Sequence, residues 1–225
     1  MVAAMATPTL TRDGEVFVIN FGDGENRTDH EWVSGMNRLL DEVQAVDGPK
    51  VLITTGSGKH YSNGLDVDWM SGRGGDAIVG YVNSVEEVLG RILTFPAPTV
   101  AAVNGHAFGA GAFAVIAHDH AVMREDRGFV CWPEVHLGMG FSPGLMSMVT
   151  HLMSTAAGWE AVVSGRRFGG DDAAAAGIVD RAVPLDRLLP VAGELGLPDA
   201  PTAGDAVGRI KRQFHREVIA ALATG

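Results

Sequence analysis

An α/β layered fold is predicted by the order in which two hydrophobic patterns alternate along the chain. Thr99-Val100-Ala101-Ala102-Val103 is an apolar run of strand length, residues 104–111 form a glycine-bearing turn, and the apolar residues 112–117 read as a helix. Residues 50–54 and 120–124 repeat the strand pattern, and amphipathic helices flank the first of them. Strands and helices in this rhythm place helices in layers on a sheet.

The elements follow in order. Residues 15–21 are β-rich after the turn Arg12-Asp13-Gly14, which predicts an N-terminal hairpin. Thr28 and Glu31 have capping-box spacing and open a helix whose apolar positions Trp32, Val33, Met36, Leu39, Leu40 and Val43 share one face. After the strand at 50–54 comes the turn Gly56-Ser57-Gly58, and residues 59–68 read as an irregular loop. Glycines at 72–75 precede a second amphipathic helix showing Ile78, Val82, Val85, Val88, Leu89 and Ile92, which ends before Pro96-Ala97-Pro98. Beyond residue 134, helices are predicted at 144–152, 156–164 and 171–176. Ile178-Val179-Asp180 is a brief extended piece, and a helical tail ends in the element 206–222. The whole reads as one domain, a core over residues 1–190 with a tail over 191–225.

Composition narrows the function. A formal charge of −10 argues against nucleic-acid or anionic-membrane partners, which are held by basic patches. The one long apolar run is interrupted by Asn104, His106 and several glycines, which disfavours a membrane span. The single Cys131 makes no internal disulfide, and the N-terminus lacks a secretory pattern, so a cytoplasmic protein is expected.

Two glycine turns stand out as places for chemistry, Asn63-Gly64-Leu65-Asp66 and Gly109-Ala110-Gly111. The second opens a helix, whose first N–H groups are unpaired and sit at the positive end of its dipole. If both turns lie on one edge, two main-chain donors converge on one oxygen; otherwise each is a loop or a tight packing point. Trp132-Pro133-Glu134 then delivers one carboxylate.

These segments resemble the enoyl-CoA hydratase/isomerase family, the crotonase superfamily, over roughly residues 14 to 190. The likeness is carried by Tyr61-Ser62-Asn63-Gly64-Leu65-Asp66-Val67, Pro98-Thr99-Val100-Ala101-Ala102-Val103-Asn104-Gly105, Gly109-Ala110-Gly111, Asp119, Pro133-Glu134-Val135-His136-Leu137-Gly138, Ser164-Gly165-Arg166-Arg167-Phe168 and Ala176-Gly177-Ile178-Val179-Asp180, in that order and spacing. The resemblance implies a spiral of ββα units with a C-terminal helical region, and an acyl-CoA thioester as substrate with no further cofactor or metal. It also implies trimers or dimers of trimers. By position the oxyanion hole falls to the N–H groups of Leu65 and Ala110. Coenzyme contacts are implied along Lys59, His60, Tyr61, Asn63, Gly64 and Asp66, with Lys211 and Arg212 as substitutes for contacts made by longer tails.

Many hydratases of the family carry a glutamate after the second glycine turn and another in the Pro-Glu motif. Here the first place holds Phe113 and the second Glu134. Dienoyl-CoA isomerases use a further acid where this chain has Ser142. One carboxylate suffices to move a double bond from C3 to C2, so the resemblance implies a Δ3,Δ2-enoyl-CoA isomerase in which Glu134 is the sole acid/base, in an apolar pocket near Phe113, Trp132 and Phe141. Trp69 is a further candidate for the acyl wall. Ser142 is expected at that wall or at the start of the following helix. The alternatives are an enoyl-CoA hydratase and an inactive acyl-CoA-binding scaffold.

Other motifs carry less. Gly140-Phe141-Ser142-Pro143-Gly144 matches a serine-hydrolase elbow, but Pro143 lacks the N–H that such an oxyanion hole needs. Gly105, Gly109 and Gly111 lack dinucleotide-binding spacing. In His118-Asp119-His120 neighbouring side chains diverge, so a core or capping role is expected rather than a metal site. Cys131, among Phe129, Val130 and Trp132, is expected to be a buried, inert thiol.

Overall fold

The computed structural model describes residues 7–224. Its strands are β1 (Thr9–Asp13), β2 (Val16–Asn20), β3 (Val51–Thr55), β4 (His60–Ser62), β5 (Thr99–Val103), β6 (His106–Phe108), β7 (His120–Arg124), β8 (Val130–Cys131) and β9 (Arg181–Val183). Its α-helices are α1 (His30–Gln44), α2 (Val67–Met70), α3 (Gly75–Leu93), α4 (Ala110–Ile116), α5 (Pro143–Leu152), α6 (Thr155–Ser164), α7 (Gly170–Ala175), α8 (Leu188–Gly196), α9 (Asp205–Phe214) and α10 (Arg216–Leu222).

A larger sheet runs β1-β2-β3-β5-β7-β9, antiparallel only in the N-terminal hairpin, and a smaller parallel sheet runs β4-β6-β8. Every residue of β3 and β5 is buried, as parallel strands covered on both faces require. One face packs Phe17, Ile19, Leu52 and Ala101 in a core shared with α1 and α3. The other packs Val51, Ile53, Val100, Ala102 and Val122 under Leu188, Val191 and Ala192 of α8. That helix straddles residue 190, where the sequence reading places the start of the tail.

β3, β5 and β7 are each followed by a short strand of the second sheet and then by helix: β3-β4-α2, β5-β6-α4, and β7-β8 before the 3-10 turn Glu134–Leu137 and α5. This repetition is the crotonase-like spiral of ββα units. It stacks the ends of β4, β6 and β8 side by side, which brings the following turns together. The short strands are absent from the sequence reading, which gives 59–68 and 104–111 as loops. With two or three residues each, they carry too little periodicity to be seen.

Smaller differences also have local causes. The helix cap is Asp29, which accepts from Trp32 N at 2.7 Å, while Thr28 is fully buried. The extended piece predicted at 178–180 lies three residues on, as β9, and 206–222 is two helices meeting at His215. Lys211 anchors α9 by donating to Ala97 O at 2.8 Å and pairing with Asp119 at 2.5 Å. No helix among the described residues is long and apolar enough to cross a membrane.

Candidate active site

The two glycine turns touch. Gly64 has φ +79°, and a Cβ there would lie 2.4 Å from Phe108 O and 3.1 Å from Ala110 N, so only glycine admits the approach. A Cβ on Gly111 would likewise stand 2.3 Å from Ser62 O. The first turn is held by a relay: Ser62 Oγ donates to Asn26 O at 2.7 Å and accepts from Gly64 N at 3.2 Å, and Gly64 O accepts from Thr28 N at 2.9 Å. Asp66 N donates to Tyr81 Oη at 2.8 Å, and the Tyr81 hydroxyl donates onward to Thr28 O at 2.9 Å.

The second turn is fixed by Gly109 N donating to Cys131 O at 3.0 Å. Gly109, at φ +51°, caps α4, and Ala110 is its first residue. No hydrogen bond among the described residues uses the N–H of Leu65 or of Ala110. Two donors on touching turns, one at a helix N-terminus, can accept a developing negative charge on a single oxygen.

Glu134 opens the 3-10 turn after β8. A Cβ on Gly109 would stand 3.2 Å from Glu134 Oε1, which places the carboxyl against the residue preceding Ala110. Its Oε2 is buried and has no hydrogen-bond partner. Burial pushes its pKa up from 4.5 to about 7, a backbone hydrogen bond opposing weakly. Such a group exchanges protons readily near neutrality.

Phe113, one turn along α4, is wholly buried, with its ring edge-on to Trp132 at 6.0 Å and to Phe141 at 5.6 Å. These three aromatic residues therefore share one wall. Trp69 packs between His30 and Tyr81, with the Arg73 guanidinium 4.1 Å from its ring centroid. Ser142 caps α5 by accepting from Leu145 N at 3.0 Å, the second of its two expected roles.

Along the expected coenzyme loop, Lys59 is exposed, and His60 is half-buried with its pKa lowered chiefly by burial. Asn63 is half-buried and its N–H donates to Glu25 O at 2.8 Å. Asp66 caps α2 through Trp69 N and pairs with Arg27 at 2.7 Å, so its carboxylate is already engaged. Tyr61 requires a correction: its ring is fully buried and its hydroxyl is bonded to Thr54 Oγ1 at 2.7 Å, so its side chain belongs to the core and not to a ligand surface. Lys211 is likewise buried in its pair with Asp119, while Arg212 is exposed. Cys131 is a buried thiol whose pKa is raised by burial.

One further acid escaped the sequence reading. Glu86 of α3 is buried, accepts from Ser142 Oγ at 2.6 Å, and leaves Oε2 without a partner. Burial raises its pKa. Its spacing from Val82 and Leu89 puts it on the apolar face of the helix, a signal available in the sequence.

Two unpaired main-chain N–H groups on touching turns, a carboxyl against one of those turns and stacked ββα units together point to the crotonase class. The comparisons agree: the family model described as enoyl-CoA hydratase/isomerase matches residues 11–225, and the chain belongs to that family. It is 36% identical over 221 residues to enoyl-CoA delta isomerase 3 of Arabidopsis thaliana, covering 93% of this chain and 92% of the relative. It is 35% identical over 183 residues to the peroxisomal enoyl-CoA delta isomerase 2 of the same plant, covering 77% and 76%. An enoyl-CoA hydratase/isomerase family protein from Pseudomonas syringae shares the fold with a TM-score of 0.89 at 22% identity, covering 98% of this chain and 96% of that one.

Proposed function

We propose that the protein is a Δ3,Δ2-enoyl-CoA isomerase working through one carboxylate. The thioester oxygen of a 3-enoyl-CoA sits between the N–H groups of Leu65 and Ala110, with C2 beside Glu134. The Glu134 carboxylate takes a proton from C2, and the electron pair left behind spreads onto the thioester oxygen and along the former double bond. The dienolate then takes the same proton from Glu134 at C4, leaving the double bond between C2 and C3. Proton and electron counts close with no oxidant or reductant, so the reaction calls for no redox cofactor.

The observation that carries this reading is the placement of Glu134 Oε1 against Gly109, one residue from a free N–H, with the pKa lifted to about 7. Phe113, packed among Trp132 and Phe141, supports a single-carboxylate reaction over hydration, for which a second acid would orient water. The isomerase names of the two Arabidopsis thaliana relatives point the same way. The coenzyme is read along Lys59, His60, Asn63 and Gly64, with the main chain of Tyr61 between them. The exposed Trp159 on α6 and Phe214 on α9 suit burial between copies in a trimer, and the single buried thiol suits the cytoplasm.

Conversion of 3-hexenoyl-CoA, followed by the ultraviolet absorbance of the conjugated thioester, tests the proposal. A folded Glu134→Gln protein with full activity would overturn it. Faster hydration of crotonyl-CoA than isomerisation at equal enzyme concentration would reassign the protein as a hydratase, and coenzyme A binding without turnover would make it a scaffold.

A further inference from the structure

Thr54 on β3, Tyr61 on β4 and His118 just after α4 form one buried chain of hydrogen bonds. Thr54 Oγ1 lies 2.7 Å from Tyr61 Oη and 2.9 Å from His118 Nε2, and His118 Nδ1 lies 2.6 Å from Ala114 O. Thr54 and Tyr61 are wholly buried and His118 nearly so. With the His118 ring neutral, as its burial favours, the protons can be arranged in one order only. A carbonyl oxygen accepts, so Nδ1 carries the ring proton; the neutral ring then accepts at Nε2 from the Thr54 hydroxyl, which in turn accepts from Tyr61.

The ends of the chain are informative. Tyr61 precedes Leu65 by four residues on the first turn, and Ala114 follows Ala110 by four residues on the same face of α4. The chain therefore ties together, through a central strand of the sheet, the two segments that carry the free N–H groups. Packing alone does not require it, because Val at 54, Phe at 61 and an apolar side chain at 118 would fill similar space without polar atoms to satisfy.

We propose that Thr54, Tyr61 and His118 are positioning residues that hold the N–H groups of Leu65 and Ala110 at the separation one thioester oxygen needs. This rests on reading those two groups as the oxyanion hole. A fully satisfied buried network specifies one geometry, whereas apolar packing tolerates small slides of a helix against a loop. Small displacements of donors are expensive in rate.

The test uses Thr54→Val, Thr54→Ser and Tyr61→Phe in the full chain, with folding checked by circular dichroism. Two readouts are taken: kcat and KM for 3-hexenoyl-CoA, and the infrared stretch of the thioester carbonyl of bound, carbon-13-labelled hexanoyl-CoA. Thr54→Val is expected to lower kcat about tenfold, the usual worth of one net hydrogen bond expressed as rate, with KM within about twofold. The carbonyl band, lowered in frequency in the wild type, moves back toward its value in buffer, and Thr54→Ser restores both readouts. Should Thr54→Val fail to fold, Tyr61→Phe cuts the chain at its other end and decides. A wild-type carbonyl band unshifted on binding removes the oxyanion hole and this proposal with it. A shifted band that stays the same in folded Thr54→Val and Tyr61→Phe, with kcat unchanged, overturns the positioning role and leaves the hole standing.

Discussion

Gly109 and Glu134 meet so closely that a methyl group on the glycine would stand 3.2 Å from the carboxyl oxygen Oε1. The glycine also holds φ +51° with ψ −121°, a conformation that costs any other residue about 1–3 kcal/mol. Gly109→Ala is therefore expected to lower stability by that amount in urea titrations and to displace Glu134, cutting kcat more than KM.

In the proposed reaction, proton abstraction requires the carboxylate form of Glu134. Burial sets its pKa at about 7, so kcat/KM for 3-hexenoyl-CoA is expected to rise with pH below that value and level off above it. A pH–rate profile that levels off near pH 4.5, the ordinary glutamate value, would show that the group is solvated.

The same burial acts on stability with a fixed sign. The folded pKa of Glu134 lies above the 4.5 of the unfolded chain, so stability is fully present below 4.5 and is lost as pH rises to about 7. Glu134→Gln removes that loss. It is expected to be more stable than the wild type at pH 8 by up to roughly 3 kcal/mol, while kcat falls about 10²–10⁴-fold. Denaturant melts at pH 4 and pH 8, beside steady-state rates, check both halves.

Proline is tolerated at the first position of an α-helix, where its missing N–H breaks no helical bond. Ala110 holds that position in α4, so an Ala110→Pro protein that circular dichroism shows to be folded is expected to lose about 10²–10³-fold in kcat by removing one donor. Normal circular dichroism with full activity would exclude Ala110 from the hole.

His118 works in the opposite direction from Glu134. Burial lowers its pKa from 6.5 to about 4, so its neutral form contributes stability that is present above 6.5 and lost as pH falls to about 4. The loss amounts to roughly 3 kcal/mol. Urea melts across that range should show the stability of the wild type rising with pH relative to His118→Gln, the difference between the two isolating His118 from the opposing titration of Glu134.

How much of this was legible in the sequence varies with element length. The long helices α1 and α3 and the buried strands β3 and β5 announce themselves through periodicity, because each repeats its pattern over enough residues. The hydrogen-bonded pairs of β4, β6 and β8 form only when distant segments meet, so nothing local marks them. In the site, Gly64, Gly109 and Glu134 were readable as motif residues, and the structure supplies what the motif cannot: that the turns touch and that the acid lies against one of them. Tyr61 misled because motif membership says nothing about which way a side chain points along a strand. Thr54 has ordinary sequence surroundings, and for His118 the sequence predicts a core or capping role but not its partners, which come from two other elements.

The end of the chain bears on the front of the molecule. A Cβ on Gly144 would fall 2.8 Å from Leu222 Cα, and Leu222 Cδ1 lies 3.6 Å from where one on Gly90 would be, so the last turn of α10 is wedged between α5 and α3. Those two helices carry Ser142 and Glu86, the hydroxyl and acid joined just beyond Phe141. Removing α10 would thus unseat a keystone: it would open the buried Glu86 carboxyl to water and free the start of α5, where Ser142 holds it.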